Sequence, residues 1–329
     1  MFDWTSAGPS VLASFMASMV EFVEALTIVL AVGVVRGWRS ALLGTAGGVA
    51  LLAVLVPALG QSLSGVPLPV LQLVVGILLL MFGMRWLRKA VLRAAGVLPL
   101  HDEAEAFAKE TELLRRQGGA ARTTIDKIAF LTTFKTVMLE GIEVVFIVIA
   151  LGAGGRLLVP ASVGAGLALA VVVALGLWLH RPLAKVPENA LKFGVGVMLA
   201  AFGTYWVGEG VGLEWPGADA AILVLIVVFL LVALGLVRVC QRVRRVAPTE
   251  LGKVASSPVA TTGPLASLAA EMLGLFVEDG WLAAGILVWA MGAWGVEARY
   301  PIVSAGACLF FAAGMPLLLS VSALRRARA

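Results

Sequence analysis

The chain has 329 residues, 60% of them hydrophobic and only 14% charged, with a mean hydropathy of +1.00. That balance excludes a water-soluble globular domain of this size, and apolar runs that are continuous rather than alternating exclude a closed β-barrel. The net charge of +5 is concentrated in a few connecting segments, so it reads as a membrane-topology signal and no nucleic-acid partner is expected.

Taken in chain order, apolar runs of about 20 residues predict an all-α polytopic membrane protein. About nine spans are expected, at 11–35, 40–60, 68–87, 130–153, 158–179, 190–211, 219–239, 268–294 and 301–323. Met1-Phe2-Asp3-Trp4 lacks the basic region of a signal peptide, so the first run is expected to be a retained helix. Basic residues follow alternate spans: Arg36 and Arg39; then Arg85, Arg88, Lys89 and Arg93; then Arg181 and Lys185; then Arg238, Arg242, Arg244, Arg245 and Lys253. Arg325, Arg326 and Arg328 close the chain. The positive-inside rule then predicts an outside N-terminus and a cytoplasmic C-terminus. Residues 101–117, rich in Glu, Ala, Lys, Leu and Arg, read as a short amphipathic cytoplasmic helix stopped by Gly118-Gly119. A 240–266 linker, rich in Pro, Ser and Thr, is expected on the same side.

The first six spans repeat. Phe15, Met19, Glu21, Glu24, Ile28 and Gly33 match Phe134, Met138, Glu140, Glu143, Ile147 and Gly152 at an offset of 119. Gly44, Gly76, Phe82, Gly83 and Trp86 match Gly164, Gly196, Phe202, Gly203 and Trp206 at an offset of 120. Each copy holds three spans, an odd number, so consecutive copies are expected in opposite orientations, the inverted-repeat plan of secondary transporters. The expected organisation is repeat 1 over 11–93, a polar and amphipathic segment over 94–127, inverted repeat 2 over 128–213, and about three further spans over 219–323.

Within spans one and four lie Glu21-Phe22-Val23-Glu24 and Glu140-Gly141-Ile142-Glu143. The i, i+3 spacing puts each carboxylate pair on one helix face. A charged group at the bilayer centre costs roughly 2.5–3.5 kcal/mol, so four unpartnered ones would cost on the order of 10–14 kcal/mol. Antiparallel packing of these helices would bring together the oxygen ligands that a hard cation takes, and crowding would make some of them hold protons. Metal binding would then expel protons, a basis for cation/proton exchange. The expected metal ligands are therefore Glu21, Glu24, Glu140 and Glu143. The competing structural reading is helix glue with a buried base, but Lys135 is the one basic residue near this level and cannot neutralise four acids.

Thr27 and Thr136 lie one turn from a glutamate and are candidate hydroxyl ligands, or else bond back to their own helices. Met19 and Met138 point about 200° away from the following Glu and are expected to pack. Glu278 and Asp279 are candidates for a cation vestibule; the plainer expectation is that they cap the helix of span eight. Cys240 and Cys308 show no CxxC pattern, and His101 and His180 form no cluster, so neither a disulfide framework nor a Cys- or His-based metal site is expected. No Ser/His or Cys/His constellation suggests an enzyme, and no prosthetic group is expected.

Glu140-Gly141-Ile142-Glu143 resembles the Arg-Glu-Gly-Leu-Glu signature of the oxidase-dependent iron permeases and their bacterial relatives, which carry it on the first and fourth helices of a duplicated three-helix unit. The resemblance covers the first six spans. It implies that Glu140 and Glu143, with Glu21 and Glu24, handle iron in a bacterial inner membrane. Leu139 and Val20 stand where that motif has Arg, and Phe22 where it has Gly. A weaker resemblance is to the Gdt-type calcium/manganese-proton exchangers. The leading expectation is a permease for iron or manganese working by alternating access, with membrane lipid and the cation as partners and a homo-oligomer compatible. The alternatives are an exporter of small amino-acid-like solutes on the same scaffold and a non-transporting membrane partner protein.

Overall fold

In the computed structural model the described residues are 4–63, 67–100, 103–116, 126–152, 157–179, 188–218, 220–246, 279–299 and 305–328. They form α1 (Trp4–Arg36), α2 (Trp38–Leu63), α3 (Leu68–Ala94), α4 (Glu103–Arg116), α5 (Lys127–Gly152), α6 (Leu158–Leu179), α7 (Glu188–Gly210), α8 (Ala220–Val246), α9 (Gly280–Arg299) and α10 (Ala305–Arg328). No strand occurs among the described residues. Seven of these helices are long and apolar enough to cross a membrane, which marks a multi-pass membrane protein. α5 has spanning length but carries Lys135, Glu140 and Glu143, and the apolar part of α9 is short, Gly280–Val296.

Local chemistry explains the boundaries. Gly37 alone separates α1 from α2: its φ of +110° reverses the chain, and its N–H still bonds the Gly33 carbonyl at 3.1 Å. Pro67 and Pro69 open α3, where a missing N–H costs nothing. α4 occupies the amphipathic stretch expected at 101–117. One expectation is corrected and one is sharpened. α8 runs on to Val246, so residues 240–246 are helix rather than linker: Cys240 is fully buried and its neighbours pack, which holds the extra turns in place. α9 begins at Gly280 rather than at the 268 of the span list, where Asp279 caps it by accepting the Trp281 N–H at 3.1 Å, the cap that the plainer expectation for Asp279 named. The rest of the expected linker and Glu278 lie outside the described residues.

The chain divides into two compact units that do not follow the sequence order. One comprises residues 1–65 and 101–191, and so contains α1, α2, α4, α5 and α6. The other comprises 66–100 and 192–329, with α3, α8, α9, α10 and nearly all of α7. The third helix of each repeated segment thus leaves its own copy.

In the first unit α1 packs on α6 and α2 on α5. A Cβ on Gly44 would strike the Phe130 carbonyl oxygen, and a Cβ on Gly164 would strike that of Val11. The Ser14 hydroxyl donates to the Ala161 carbonyl at 2.7 Å, and the Thr133 hydroxyl to the Ala41 carbonyl at 3.0 Å. Each of these contacts is the other's counterpart 119 or 120 residues along the chain. The second unit repeats the pattern between α3 and α7: a Cβ on Gly83 would lie 2.6 Å from the Ala200 nitrogen, and one on Gly203 2.5 Å from that of Leu80. Close backbone approach of this kind is what small residues permit between helices in lipid.

Candidate metal centre on helices α1 and α5

α1 and α5 pack antiparallel in the first unit. At one end the Ser10 hydroxyl donates to the Leu151 carbonyl at 3.2 Å; at the other, Arg36 pairs with Asp126 at 2.5 Å. Residues whose numbers add up to about 161 therefore share a level along the two helices. Glu21 and Glu140 are such a pair.

The side chains meet accordingly. Glu21, Glu24 and Glu140 each offer a carboxylate oxygen within 4.8 Å of the others. Glu21 is fully buried, and Glu24 and Glu140 are half-buried. Opposite oxygen ligands of a single hard cation stand about 4–5 Å apart, so one ion can be reached by all three.

Glu143, the fourth expected ligand, is buried at 5% exposure but is not part of this group. Its number puts it level with Ser18, one helical step of about 4.5 Å toward the Ser10–Leu151 end. Ser18 is a residue that sequence reasoning missed. It lies three positions before Glu21, is fully buried, and its hydroxyl has no hydrogen-bond partner among the described residues. The signal was available: an i, i+3 serine on the acidic face of an intramembrane helix.

The supporting candidates fall as follows. Thr27 donates its hydroxyl to the Val23 carbonyl at 2.9 Å, the back-bonding arrangement. Thr136 is half-buried on α5. Met138 is buried, and Gly141 is where Leu52 of α2 packs; a Cβ there would collide with its side chain. Asp279 belongs to the second unit. It caps α9, accepts the Ser322 hydroxyl and pairs with Arg88 at 3.5 Å.

A second arrangement missed in the sequence closes the α1–α5 seam. Asp126 immediately precedes α5 and accepts the N–H groups of Ile128 and Ala129 at 2.9 and 3.3 Å. Its own N–H donates to the Ser40 hydroxyl at 2.9 Å, and Arg36, the last residue of α1, supplies the countercharge. Burial pushes the Asp126 carboxyl up, but the Arg36 hydrogen bond, the two backbone N–H groups and the Arg36 charge together hold it below the ordinary Asp value. Beside this clamp Leu114 of α4 packs with Val32, Ala41 and Ala129, so the amphipathic helix buries its apolar face at the foot of α1, α2 and α5.

No family model matches the chain, and no curated protein or solved structure matches it.

Proposed function

We propose that the chain is a secondary transporter of a metal cation, iron or manganese first, in a bacterial inner membrane. The observation that carries this reading is the convergence of Glu21, Glu24 and Glu140 from two antiparallel helices. Intramembrane acids are costly, and a cluster of three is retained where it binds or relays charge. A partner protein without transport has no need of such a cluster.

In this reading the two three-helix segments are inverted repeats. The reciprocal contacts support it: Gly44 on Phe130 against Gly164 on Val11, and Gly83 on Ala200 against Gly203 on Leu80. In secondary transporters built on such a relation the substrate site lies near the midplane at the repeat interface, and the carboxylate group on the repeats' first helices suits that position. Glu21, Glu24 and Glu140 hold the cation, and Glu143 with Ser18 provides the next polar station along the seam. Cation binding displaces the protons that the crowded carboxylates hold, which couples metal movement to proton movement.

The test uses purified protein titrated with Fe(II), Mn(II), Ca(II) and Zn(II), with thermal shift and calorimetry as readouts, followed by metal uptake and internal pH in proteoliposomes. One metal should stabilise the wild type, and Glu21→Gln, Glu24→Gln and Glu140→Gln should each abolish that stabilisation. Retention of both metal uptake and proton coupling by Glu140→Gln would sink the proposal.

A further inference from the structure

We propose that the joined C-terminal ends of α8 and α10 form a binding site for the phosphate headgroup of an anionic membrane lipid. The inference rests on the multi-pass membrane character of the chain and not on the identity of any transported ion.

Two helix ends meet here. α8 packs on α10, and both end around a cluster of Leu92, Ala95 and Cys240, against which Val237, Leu324 and Ala327 pack. Arg238, Arg242 and Arg244 belong to the last turns of α8, and Arg325, Arg326 and Arg328 to the last turn of α10; all six are exposed. Two helix C-termini supply about −1 charge between them through their dipoles. Six guanidinium groups exceed what that field calls for. Asp279, the acid at this end of the unit among the described residues, is engaged with Arg88 and Ser322 and does not neutralise them.

Depth decides between a lipid and a solute in water. The α8 span runs over Ala220–Arg244, 25 residues. About 20 helical residues cross the hydrocarbon core, so Arg238 stands at its edge and Arg242 and Arg244 stand among the headgroups. Trp281, 69% exposed, lies at the same end, with the Arg325 guanidinium over its ring at 4.6 Å from the centroid. An exposed indole beside a guanidinium is the side-chain pair suited to the interfacial zone, with one face toward acyl chains and the charge toward phosphate. Arginine's planar fork binds phosphate oxygens in pairs, and Arg238 and Arg242, one turn apart on one face of α8, suit a headgroup phosphate.

Native mass spectrometry of the full-length protein tests this, with phosphatidylglycerol, cardiolipin and phosphatidylcholine of matched acyl chains as probes. The wild type should retain the anionic lipids over phosphatidylcholine by on the order of tenfold or more. Arg238→Gln/Arg242→Gln/Arg244→Gln should lose that preference, and so should Arg325→Gln/Arg326→Gln/Arg328→Gln, which guards against a folding defect in either variant. A control removing three exposed charges elsewhere, Arg39→Gln/Arg115→Gln/Arg116→Gln, should keep it. Equal retention of phosphatidylcholine, an unchanged preference in both triple variants, or the same loss in the control would overturn the proposal. Displacement of the lipid by millimolar inorganic phosphate would also overturn it, by assigning the site to a soluble anion.

Discussion

The two compact units each close a helix end with the same device, and they do so with different tightness. In the first, Asp126 caps α5 and pairs with Arg36, the last residue of α1; in the second, Asp279 caps α9 and pairs with Arg88 near the end of α3. The first pair lies at 2.5 Å with side chains 3% and 6% exposed, the second at 3.5 Å with side chains 12% and 20% exposed. An aspartate before a helix already gains from the N-terminal dipole and free N–H groups, so a nearby arginine completes the arrangement at small extra cost. Burial then sets how much depends on it. The tighter clamp lies on the helix pair that carries the clustered glutamates, where the two backbones need a fixed register for three carboxylates to meet.

That comparison can be broken by substitution. Asp126→Ala leaves the Arg36 guanidinium buried without this carboxylate and should cost about 3–5 kcal/mol, read as a large drop in melting temperature of the purified protein. Asp279→Ala should cost about 1–2 kcal/mol, chiefly the lost cap. Equal losses would mean that burial does not separate the two clamps. The asparagine variants sharpen the point. Asn keeps the cap, so Asp279→Asn should recover most of the loss, whereas Asp126→Asn should not.

The pH dependence has a definite sign. The Asp126 carboxyl is held below its ordinary value, so its contribution is fully present above the unfolded value of about 3.9 and is lost as pH falls toward the lower folded value. Asp279 is also lowered: burial raises it, but the Ser322 hydrogen bond, the Arg88 charge and the Trp281 and Leu282 N–H groups outweigh that. Acid melting curves should therefore flatten in Asp126→Asn relative to the wild type in this window. A wild-type slope unchanged by that substitution would remove Asp126 from the account.

The smallest expected effect tests the repeat. Ser14→Ala and Thr133→Val each remove one interhelical hydroxyl bond, worth about 0.6 kcal/mol in membrane helices, and the two losses should agree within error. Losses of opposite sign would break the equivalence between the two copies.

Much of this was legible in the residues. The apolar runs foretold the helices because a lipid environment forces long continuous stretches, and α4 was legible because its amphipathic composition stands out between them. The acidic face of span one was visible from i, i+3 spacing. Two things were not. Asp279 was legible as the cap of α9, but its pairing with Arg88 and Ser322, contacts remote in the chain, was not. The splitting of α3 and α7 from their own repeats depended on which helix surfaces fit, and glycine faces do not name their partners.

The chain by itself determined the class of molecule, the duplicated segments and the presence of two costly acidic pairs, since these follow from local composition and spacing. Only the tertiary structure decided that Glu21, Glu24 and Glu140 meet as one group while Glu143, outside that group, lies level with Ser18. Helix geometry puts Glu21 and Glu140 at one level, with Glu24 one three-residue step of about 4.5 Å to one side and Glu143 one such step to the other, and packing brings Glu24 to the pair. Spacing sets the face a carboxylate occupies, and packing sets which other carboxylates it meets.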